Sequence, residues 1–546
     1  MRAIDLAHAA EAIAGETTVA GALARSPDLR GSRAWTVMRG GRLLGAVLRE
    51  DLVLAARHDL GHLRLLDLLL GGVVRLPQGA RVARVARELQ RRGRSLVVVG
   101  KKPGGAWSVI STPDLPPGTE STPPPTPRLG ASLERAISPA ARRVLTRLAR
   151  AARRRGDRVY LVGGVVRDAL LGRSTGDVDV LVEGEVDGLA REIGGEVRIH
   201  ASFHTASLQL DDGSRIDLAR ARSERYARPG VLPDVAPGTL REDLRRRDFA
   251  INAIAVPLGV GGFGGLVDAF GGVEDLRARR LRILHPLSFF EDPTRALRAA
   301  RLSAELGLRL EPATAQLLNV ARDEGAFEQL TPARLRREVV AIFSTARPDL
   351  SLRALLDNGL LEVILPGVRR PRGSLEALER LPGVLRGYRK GKAVRGWVVA
   401  LGLLVRGADA PHIERILRRL GPPRGAGTAL RDAASGLSPF LRKLQRRRRW
   451  PPSSIHRLCR GKTEEFLLAA AAATSRSDAR RAVLRYLDDG TGARLEITGR
   501  DLLEAGIPPG PSVARGLEAA RMAAMDGRAP TAAEQLRRAL RAARSA

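Results

Sequence analysis

Two aspartates follow a glycine turn in the segment 159–182, and this combination of residues can bind a nucleotide. Gly163 and Gly164 end the apolar run 159–162 and precede a stretch with helical periodicity. Glycine lets the backbone approach a phosphate closely, and the first turn of a helix offers free N–H donors to an anion. Arg167, one turn into that helix, adds a positive charge. The segment therefore predicts a phosphate-binding turn.

Asp177 and Asp179 lie in the apolar run Gly-Asp-Val-Asp-Val-Leu-Val at 176–182. Alternate side chains of a strand share one face, so the two carboxylates should point the same way. Adjacent carboxylates repel each other unless a cation lies between them, and Mg²⁺ prefers carboxylate and phosphate oxygens. Two ordinary acids at a solvated strand edge are the alternative, but the glycine turn favours a metal. Asp217, in the run 214–218, is a candidate third acid from a neighbouring strand.

The composition favours a polyanionic partner. The chain of 546 residues has 92 Lys and Arg against 59 Asp and Glu, a formal net charge of +33. Arginines that pair with phosphates release counterions, so nucleic acid is the expected partner, and a general arginine bias is the alternative. Cys459 is the only cysteine, which fits a reducing compartment. With no signal peptide and no run of about 18 apolar residues, we expect a cytoplasmic protein without a membrane span.

The pattern of elements predicts a multidomain protein. Residues 117–128 form a proline-rich linker, because proline blocks both helix and sheet pairing. Residues 1–116 hold two similar units of strands and helices, which predicts an α/β region. Residues 158–285 alternate short strands, turns and helices, which together with the helical segment before them predicts an α+β domain over 129–285. From residue 286 the apolar spacing is helical, which predicts an all-α remainder, and the family resemblance set out below implies that it is divided into a neck over 286–345 and a body and tail over 346–546.

Some local elements can be placed more closely. The basic segment 130–157 predicts one helix that ends at Gly156. Residues 81–92 predict a helix, followed by a strand over 96–99. The Asp-Pro pair at 292–293 predicts the start of a helix, because proline is favoured in the first helical turn.

The helix that begins at this pair could read a nucleotide base. Arg295, Arg298 and Arg301 recur every three residues along one drifting face. Aspartate only accepts hydrogen bonds and arginine only donates them. Cytosine and adenine each present an amine donor beside an unprotonated ring nitrogen that accepts. Asp292 and an arginine therefore complement the hydrogen-bonding groups of these two bases and not those of uracil and guanine. A basic helix that binds RNA phosphates, or simple intrahelical ion pairs, is the alternative.

An ordered series of motifs resembles that of the class II tRNA nucleotidyltransferase and poly(A) polymerase family. The motifs lie at 163–168, 177–179, 243–253, 285–301, 497–502 and 510–511. The second motif of the family is usually written RRDFTINA, and this chain departs from it at Ala250, where threonine is usual. The third contains the nucleotide-reading pattern EDxxR. Several motifs in the same order are far more specific than any one of them.

The resemblance implies a head of the DNA polymerase β-like nucleotidyltransferase fold that transfers nucleotides from CTP or ATP to the 3′ end of a tRNA. Asp177 and Asp179 would hold two Mg²⁺ ions, with Asp217 as the tentative third catalytic acid. Asp248 would accept a hydrogen bond from a ribose hydroxyl. The residues implied to bind the nucleotide are Gly163, Gly164, Arg167, Arg247, Asp248, Asn252, Asp292, Arg295, Arg298 and Arg301.

The region before the linker is similar to a tandem pair of CBS domains. In that family a Ser or Thr and an Asp three residues later hold an adenosine ribose, and Ser111 and Asp114 have this spacing. In the first unit Leu48 stands at the hydroxyl position before Asp51. The resemblance therefore implies an adenosine nucleotide only for the second unit, and a purely structural role is the alternative.

Two other functions remain open at this point. The protein could be a poly(A) polymerase that acts on other RNAs, or a non-catalytic RNA-binding protein regulated by adenosine nucleotides. The nucleotides that a tRNA would receive, C, A or both, also stay open. His58 and Asp59 resemble part of an HD phosphohydrolase site, but no further ligands accompany them, so we expect a surface pair. The basic run 445–450 predicts either contact with RNA phosphates or a solvated loop.

Overall fold

A computed structural model of the chain contains two compact units, residues 1–330 and 331–546. The predicted linker 117–128, Asp114 and the side chain of Ser111 lie outside the described residues. In the described part of the chain, no helix is both long enough and apolar enough to cross a membrane. The structure describes residues 1–25, 33–70, 74–91, 96–99, 107–111, 115, 129–193, 196–200, 204–226, 233–369, 371–388, 394–446, 449–489 and 495–545.

The N-terminal part of the first unit is an α/β region in which one order of elements occurs twice. Its elements are α1 Ala3–Leu6, β1 His8–Ala14, α2 Val19–Ala24, β2 Ala34–Arg39, β3 Arg42–Leu48, α3 Arg49–Arg57, a 3-10 helix Leu65–Leu68, β4 Arg75–Leu76, α4 Val82–Arg91, β5 Leu96–Val99 and β6 Trp107–Ser111. The strands form one sheet in the order β3-β2-β1-β6-β5-β4. The order strand, helix, strand, strand occurs in both halves, and α3 completes the first. The predicted helix over 81–92 and strand over 96–99 are confirmed.

The prediction of a surface pair at His58 and Asp59 is wrong for the histidine. His58 is only 3% exposed, whereas Asp59 is exposed. The buried residues of α3 are Leu52 and Ala55, three residues apart. His58 continues this spacing directly after the helix ends, so it is carried into the same interior.

The second part of the first unit is built on a seven-stranded mixed sheet. Its elements are α5 Leu129–Ala136, α6 Pro139–Arg155, β7 Arg158–Val162, α7 Gly164–Leu170, β8 Asp177–Glu183, α8 Val186–Ile193, β9 Val197–His200, β10 Thr205–Gln209, β11 Arg215–Arg220, β12 Arg222–Arg225, β13 Asp234–Pro237, α9 Leu240–Arg245, a 3-10 helix Ala250–Asn252, β14 Ala255–Gly259, β15 Gly262–Phe263, α10 Gly272–Arg277 and β16 Arg280–Leu281. The sheet order is β15-β14-β7-β8-β11-β10-β9, in which only β8 and β11 pair in parallel. The predicted α+β architecture is therefore confirmed.

The basic segment 130–157 forms two helices, α5 and α6, so the prediction of one helix is wrong. Ser138 begins the second helix, because its side chain accepts a hydrogen bond from the N–H of Ala141 at 3.1 Å. Pro139 takes the first helical position, which it favours over a helix interior. The predicted end is confirmed, since Gly156 adopts the left-handed conformation that closes α6.

Helices dominate the rest of the chain, as the apolar spacing predicts. The first unit ends with α11 Ser288–Glu291, α12 Thr294–Leu306, the short strand β17 Arg309–Leu310, α13 Pro312–Asp323 and a 3-10 helix Ala326–Gln329. The second unit contains α14 Pro332–Phe343, α15 Pro348–Asp357, α16 Leu361–Ile364, α17 Ser374–Gly387, α18 Gly396–Val405, α19 Ala410–Leu420, α20 Arg424–Arg446, α21 Pro452–Cys459, α22 Glu464–Ala473, α23 Ser477–Asp489, α24 Gly499–Glu504, α25 Pro511–Met525 and α26 Ala532–Arg544.

Helix α18 forms the centre of the second unit. Nine of its residues, Trp397 to Val405, are buried, because the helix is apolar on every face. It packs against α17, α20 and α22. Gly402 allows a close approach, since a Cβ at this position would lie 3.2 Å from the Cβ of Ala433. Two residues of the predicted basic run, 447 and 448, lie outside the described part of this unit.

Candidate active site

The glycine turn joins β7 to α7 beside the strand that carries the aspartate pair. Gly163 has a φ angle of +73°, and a Cβ at this position would lie 2.8 Å from Nη1 of Arg247 and 3.3 Å from Oδ2 of Asp179. Only glycine adopts this conformation readily and leaves room for both side chains. The turn therefore brings three residues from separate motifs to one place.

Asp177 and Asp179 lie on one face of β8, as the strand pattern predicts. Asp177 is exposed and Asp179 is half-buried, while the valines that follow each of them are buried on the other face. Burial raises the pKa of Asp179 above its ordinary value; Arg247 acts against this rise, and Asp217 and Asp177 add to it. The carboxylates thus share a negative potential that a bound cation would relieve.

Asp217 lies next to the pair, because the parallel ladder between β8 and β11 sets it opposite Asp179. Its carboxylate accepts a hydrogen bond from Nε of Arg215 at 2.8 Å, so a guanidinium already compensates its charge. Among the described residues, no three His, Cys, Asp or Glu side chains are grouped to hold a metal ion. The two aspartates of β8 are thus side chains that could hold a divalent cation together with substrate phosphates, and Asp217 is paired with Arg215.

Hydrogen bonds connect the helix after the glycine turn to the second motif. Arg167 donates through Nη1 to Oδ1 of Asn252 at 2.8 Å, and Nδ2 of Asn252 donates to Oδ1 of Asp248 at 2.9 Å. On its other side Arg167 donates to both carboxylate oxygens of Asp168, at 2.9 and 3.1 Å. The guanidinium also lies over the start of α7, where a Cβ at Gly164 would be 3.6 Å from Nη2. Residues far apart in the sequence thus form one connected network.

Arg298 of the third motif extends this network. Its guanidinium lies 3.1 Å from Oδ2 of Asp248 and 3.3 Å from Oδ2 of Asp292. Asp292 also accepts from the N–H of Thr294 at 3.0 Å, which confirms the predicted helix start at this point. Burial alone would raise the pKa of Asp248, but Arg298 and the hydrogen bond from Asn252 bring it below its ordinary value. Asp248 is therefore ionised at neutral pH and can accept a hydrogen bond from a ribose hydroxyl.

Asp243 was not predicted as a site residue, yet it holds two arginines of the second motif in place. It is completely buried and accepts hydrogen bonds from Arg247 at 3.0 Å and from Nε of Arg246 at 2.8 Å. Burial of a carboxylate is costly unless it is paired, so these contacts fix all three side chains together. The sequence spacing indicates this role, because Arg246 and Arg247 follow Asp243 by three and four residues, and side chains at that spacing meet on one helix face.

Arg295 lies deeper than a base-reading side chain would be expected to lie. It is 2% exposed, and its guanidinium donates to Oγ of Ser288 at 2.7 Å and to the carbonyl oxygen of Arg246 at 2.8 Å. Nε2 of His285 lies 3.3 Å from Nη1, and Oε2 of Glu291 lies 3.9 Å from it. In this arrangement Arg295 holds the backbone of the second motif through the carbonyl oxygen of Arg246.

The three arginines of α12 therefore have different surroundings, although the sequence suggested one shared role. Arg298 contacts the acidic side chains of the network, and Arg295 is buried behind it. Arg301 donates to Oε2 of Glu305 at 3.3 Å, one turn further along the helix. The structure thus brings Arg298 to the network and gives Arg301 a contact outside it.

Comparison with known proteins identifies the domain that carries this site. Residues 159–282 match the model of the poly A polymerase head domain, and residues 307–370 match a probable RNA and SrmB-binding site of polymerase A. The CCA-adding enzyme of Thermotoga maritima, solved in complex with tRNA, is structurally similar with a TM-score of 0.62 at 30% sequence identity. The similarity covers 76% of this chain and 98% of that enzyme.

Curated relatives extend the comparison. The CC-adding tRNA nucleotidyltransferase of Deinococcus radiodurans is 35% identical over 388 residues, which cover 70% of this chain and 88% of the relative. The A-adding tRNA nucleotidyltransferase of Geobacter sulfurreducens is 36% identical over 399 residues, which cover 71% of this chain. The chain spans only 45% of the length of the Geobacter relative and 33% of a similar one from Aquifex aeolicus. From its motifs, its fold and these similarities, the chain belongs to the family of tRNA nucleotidyltransferases and poly(A) polymerases.

Proposed function

We propose that the protein adds C, A or both to the 3′ end of tRNA, without a template, by nucleotidyl transfer from CTP or ATP. One observation carries this proposal: a single hydrogen-bonded network joins three motifs beside the aspartate pair of β8. The relatives support tRNA as the acceptor, since their names specify A-adding, CC-adding and CCA-adding enzymes. Solved complexes of a CCA-adding enzyme with ATP and with CTP support these donors.

The triphosphate would bind at the glycine turn. The backbone of Gly163 and Gly164 can approach a phosphate because neither residue has a side chain. Arg167 and Arg247 flank the turn, and their guanidinium groups can pair with phosphate oxygens. Asp248 is ionised and held by Arg298. It would accept a hydrogen bond from the ribose 2′-hydroxyl and so favour ribonucleotides.

Asp177 and Asp179 would hold the divalent cations, which we take to be Mg²⁺ because carboxylates with substrate phosphates are its preferred ligands. When bound, two such cations stabilise the attacking and the leaving oxygens of a nucleotidyl transfer together. The chain contributes the fixed spacing of the carboxylates on a strand, and Gly163 leaves space over Asp179. For Asp217 to act as a third catalytic acid, its carboxylate would have to leave Arg215.

Base selection would take place at the start of α12. Asp292 offers acceptor oxygens there, and the neighbouring guanidinium of Arg298 offers donors, which together suit adenine and cytosine. Arg295 would contribute by holding the second motif, or by exchanging its buried partners for the base when a nucleotide binds. Arg301 would pair with an RNA phosphate. Its side chain contacts Glu305 and remains partly exposed, so a phosphate could reach it.

For the N-terminal region we propose a CBS-like fold, supported by the order of elements that occurs twice in its sheet. An adenosine nucleotide is its candidate ligand because of the spacing of Ser111 and Asp114. A tRNA substrate also agrees with a cytoplasmic location, which the single cysteine favours.

The proposal is tested with tRNA transcripts that end before CCA, after C and after CC, each supplied with one nucleotide at a time. Stepwise addition that stops after A would establish the full activity, and addition of A only to the CC-ended transcript would make the protein an A-adding enzyme. Addition that stops after the second C would make it CC-adding. Long A tails on unrelated RNAs would instead identify a poly(A) polymerase, and RNA binding without any addition would identify a non-catalytic protein.

A further inference from the structure

Among the described residues, the N-terminal region meets the rest of the first unit in two areas. In the first, Glu50 of α3 accepts a hydrogen bond from Nη2 of Arg245 at 2.7 Å. In the second, Nε2 of His62 lies 2.8 Å from Oε2 of Glu324, which follows α13, and the side chain of Gln316 in α13 donates to the backbone of the 3-10 helix before β4. The residues that would bind the substrate all lie outside the N-terminal region, so its effect on the reaction has to pass through contacts of this kind.

The first contact leads directly to the nucleotide site. Arg245 is the last residue of α9, and the next residue, Arg246, accepts the hydrogen bond from Arg295 through its carbonyl oxygen. A shift of Arg245 would therefore move the atom that fixes the guanidinium of Arg295. The second contact has no such connection, because neither His62 nor Glu324 bonds to a residue of the network among the described contacts.

Asp51 is a second acidic residue of α3 that lies near Arg245. It is half-buried, and burial raises its pKa to about 6; Arg245 and His285 act against this rise, and Glu50 and Glu291 add to it. These four groups are the charged neighbours of Asp51, and they come from three different elements. Helix α3 therefore interacts electrostatically with both Arg245 and the pair formed by His285 and Glu291.

His58 lies at the other end of α3, near this pair as well. Burial lowers its pKa, while Glu291 and Asp59 raise it and His285 lowers it further. In the described structure neither ring nitrogen of His58 has a hydrogen-bond partner. Nε2 of His285 lies 3.1 Å from Glu291 and 3.3 Å from Arg295, so both ends of α3 face residues that surround Arg295.

We propose that α3 is a positioning element of the nucleotide site, in which Glu50 and Asp51 hold Arg245 and thereby set the position of Arg295. The proposal rests on the function proposed above. Glu50 and Asp51 are positioning residues, because they act through Arg245 and contact neither the nucleotide nor the reacting atoms. The N-terminal region in this way tunes how tightly the head holds CTP or ATP.

The ion pair can be removed without unfolding the protein. The side chains of Glu50 and Arg245 are 54% and 42% exposed, and exposed pairs of this kind contribute little to stability. A change in catalysis after Glu50→Gln would therefore report on position rather than on folding, and a thermal melt of each variant checks this point.

The test compares Glu50→Gln with His62→Gln in the full chain, using CTP and ATP with tRNA transcripts as substrates. We expect Glu50→Gln to raise KM for the nucleotide about fivefold, a typical size for coupling between sites, with a smaller change in kcat. His62→Gln alters the ion pair with Glu324 in the other area and should leave KM unchanged. Glu50→Asp keeps the negative charge beside Arg245 and should leave KM closer to the wild-type value than Glu50→Gln does.

Two results would overturn the inference. Equal KM values in wild type and Glu50→Gln would show that the contact does not reach the nucleotide, and equal changes in Glu50→Gln and His62→Gln would show that it only anchors the region. Nucleotide addition by the wild-type protein in the same assay separates these results from failure of the proposed function. If the wild type adds no nucleotide to any transcript, both proposals fall.

Discussion

The hydrogen-bonded network of the three motifs and the aspartate pair of β8 lie side by side, but their charges are compensated in different ways. In the network each acid has a basic or amide partner within hydrogen-bonding distance, as Asp248 has in Arg298 and Asn252. In the pair, Asp179 is half-buried among like charges, and its pKa is raised mainly by burial. In the network the charges are compensated by side chains of the chain itself, whereas we propose that a bound cation compensates the pair.

For the proposed nucleotidyl transfer, this difference indicates a separate role for each of the two regions. Paired side chains in fixed positions need little reorganisation when a substrate binds, which favours affinity and selectivity. Grouped carboxylates can bind divalent cations, and such cations act on the reacting oxygens. Changes in the network should therefore alter nucleotide binding and stability, and changes in the pair should alter the rate.

The largest effect is expected from Asp179→Asn. Loss of one cation ligand should lower kcat about 1,000-fold, as loss of a group that stabilises the transition state typically does. The melting temperature should not fall, because a half-buried negative charge is removed from beside Asp177 and Asp217. Asp211→Asn is the matched control, since this exposed acid lies in a turn of the same sheet. A fall in kcat of less than tenfold, or an equal fall in the control, would contradict the assignment of the pair.

Asp243→Asn should break the network from within. The change leaves Arg246 and Arg247 without their shared carboxylate, and breaking a buried ion pair costs about 3–5 kcal/mol. Urea denaturation of wild type and variant measures this loss. A free energy of unfolding that changes by less than about 1 kcal/mol would mean that the two arginines find other partners.

Arg298→Ala and Arg301→Ala separate the two arginines that the sequence could not distinguish. Arg298 contacts Asp248 and Asp292, so its loss should raise KM for CTP or ATP about tenfold, the equivalent of one charged hydrogen bond. Arg301 contacts Glu305, outside the network, and its loss should change KM less than about twofold. Steady-state kinetics of both variants would contradict the account if the order of the two effects were reversed.

The last prediction concerns the pH dependence of stability at Asp51. Its pKa is raised to about 6 from an ordinary value of 3.8. The contribution of this group to stability is therefore fully present below about pH 4 and is lost as the pH rises through 6. Asp51→Asn should be more stable than wild type at pH 7.5, by at most about 3 kcal/mol, and equal to it at pH 4. A difference in melting temperature that is the same at both pH values would contradict this.

The sequence predicts those parts of the site that depend on a single element. Strand alternation places Asp177 and Asp179 on one face, and the Asp-Pro pair marks the start of α12; the structure has both features. In each case the local sequence of one element is enough for the prediction.

What the sequence could not predict depends on which elements meet. Arg295, Arg298 and Arg301 follow one spacing, yet only the tertiary contacts decide that the first is buried and the last lies outside the network. The charge of Asp217 is compensated by Arg215, two residues away on the same strand face. His58 is buried because α3 packs inward, and the sequence of a helix does not state which neighbouring elements cover its ends.

The central claim is that the aspartates of β8 bind divalent cations next to a glycine turn that receives the triphosphate. Its most direct test is the affinity for ATP, measured by calorimetry with and without Mg²⁺ for wild type and Asp179→Asn. We predict that Mg²⁺ strengthens binding to the wild type about tenfold more than to the variant, since only the wild type keeps both carboxylates of the pair. An identical response of the two proteins to Mg²⁺ would contradict the claim.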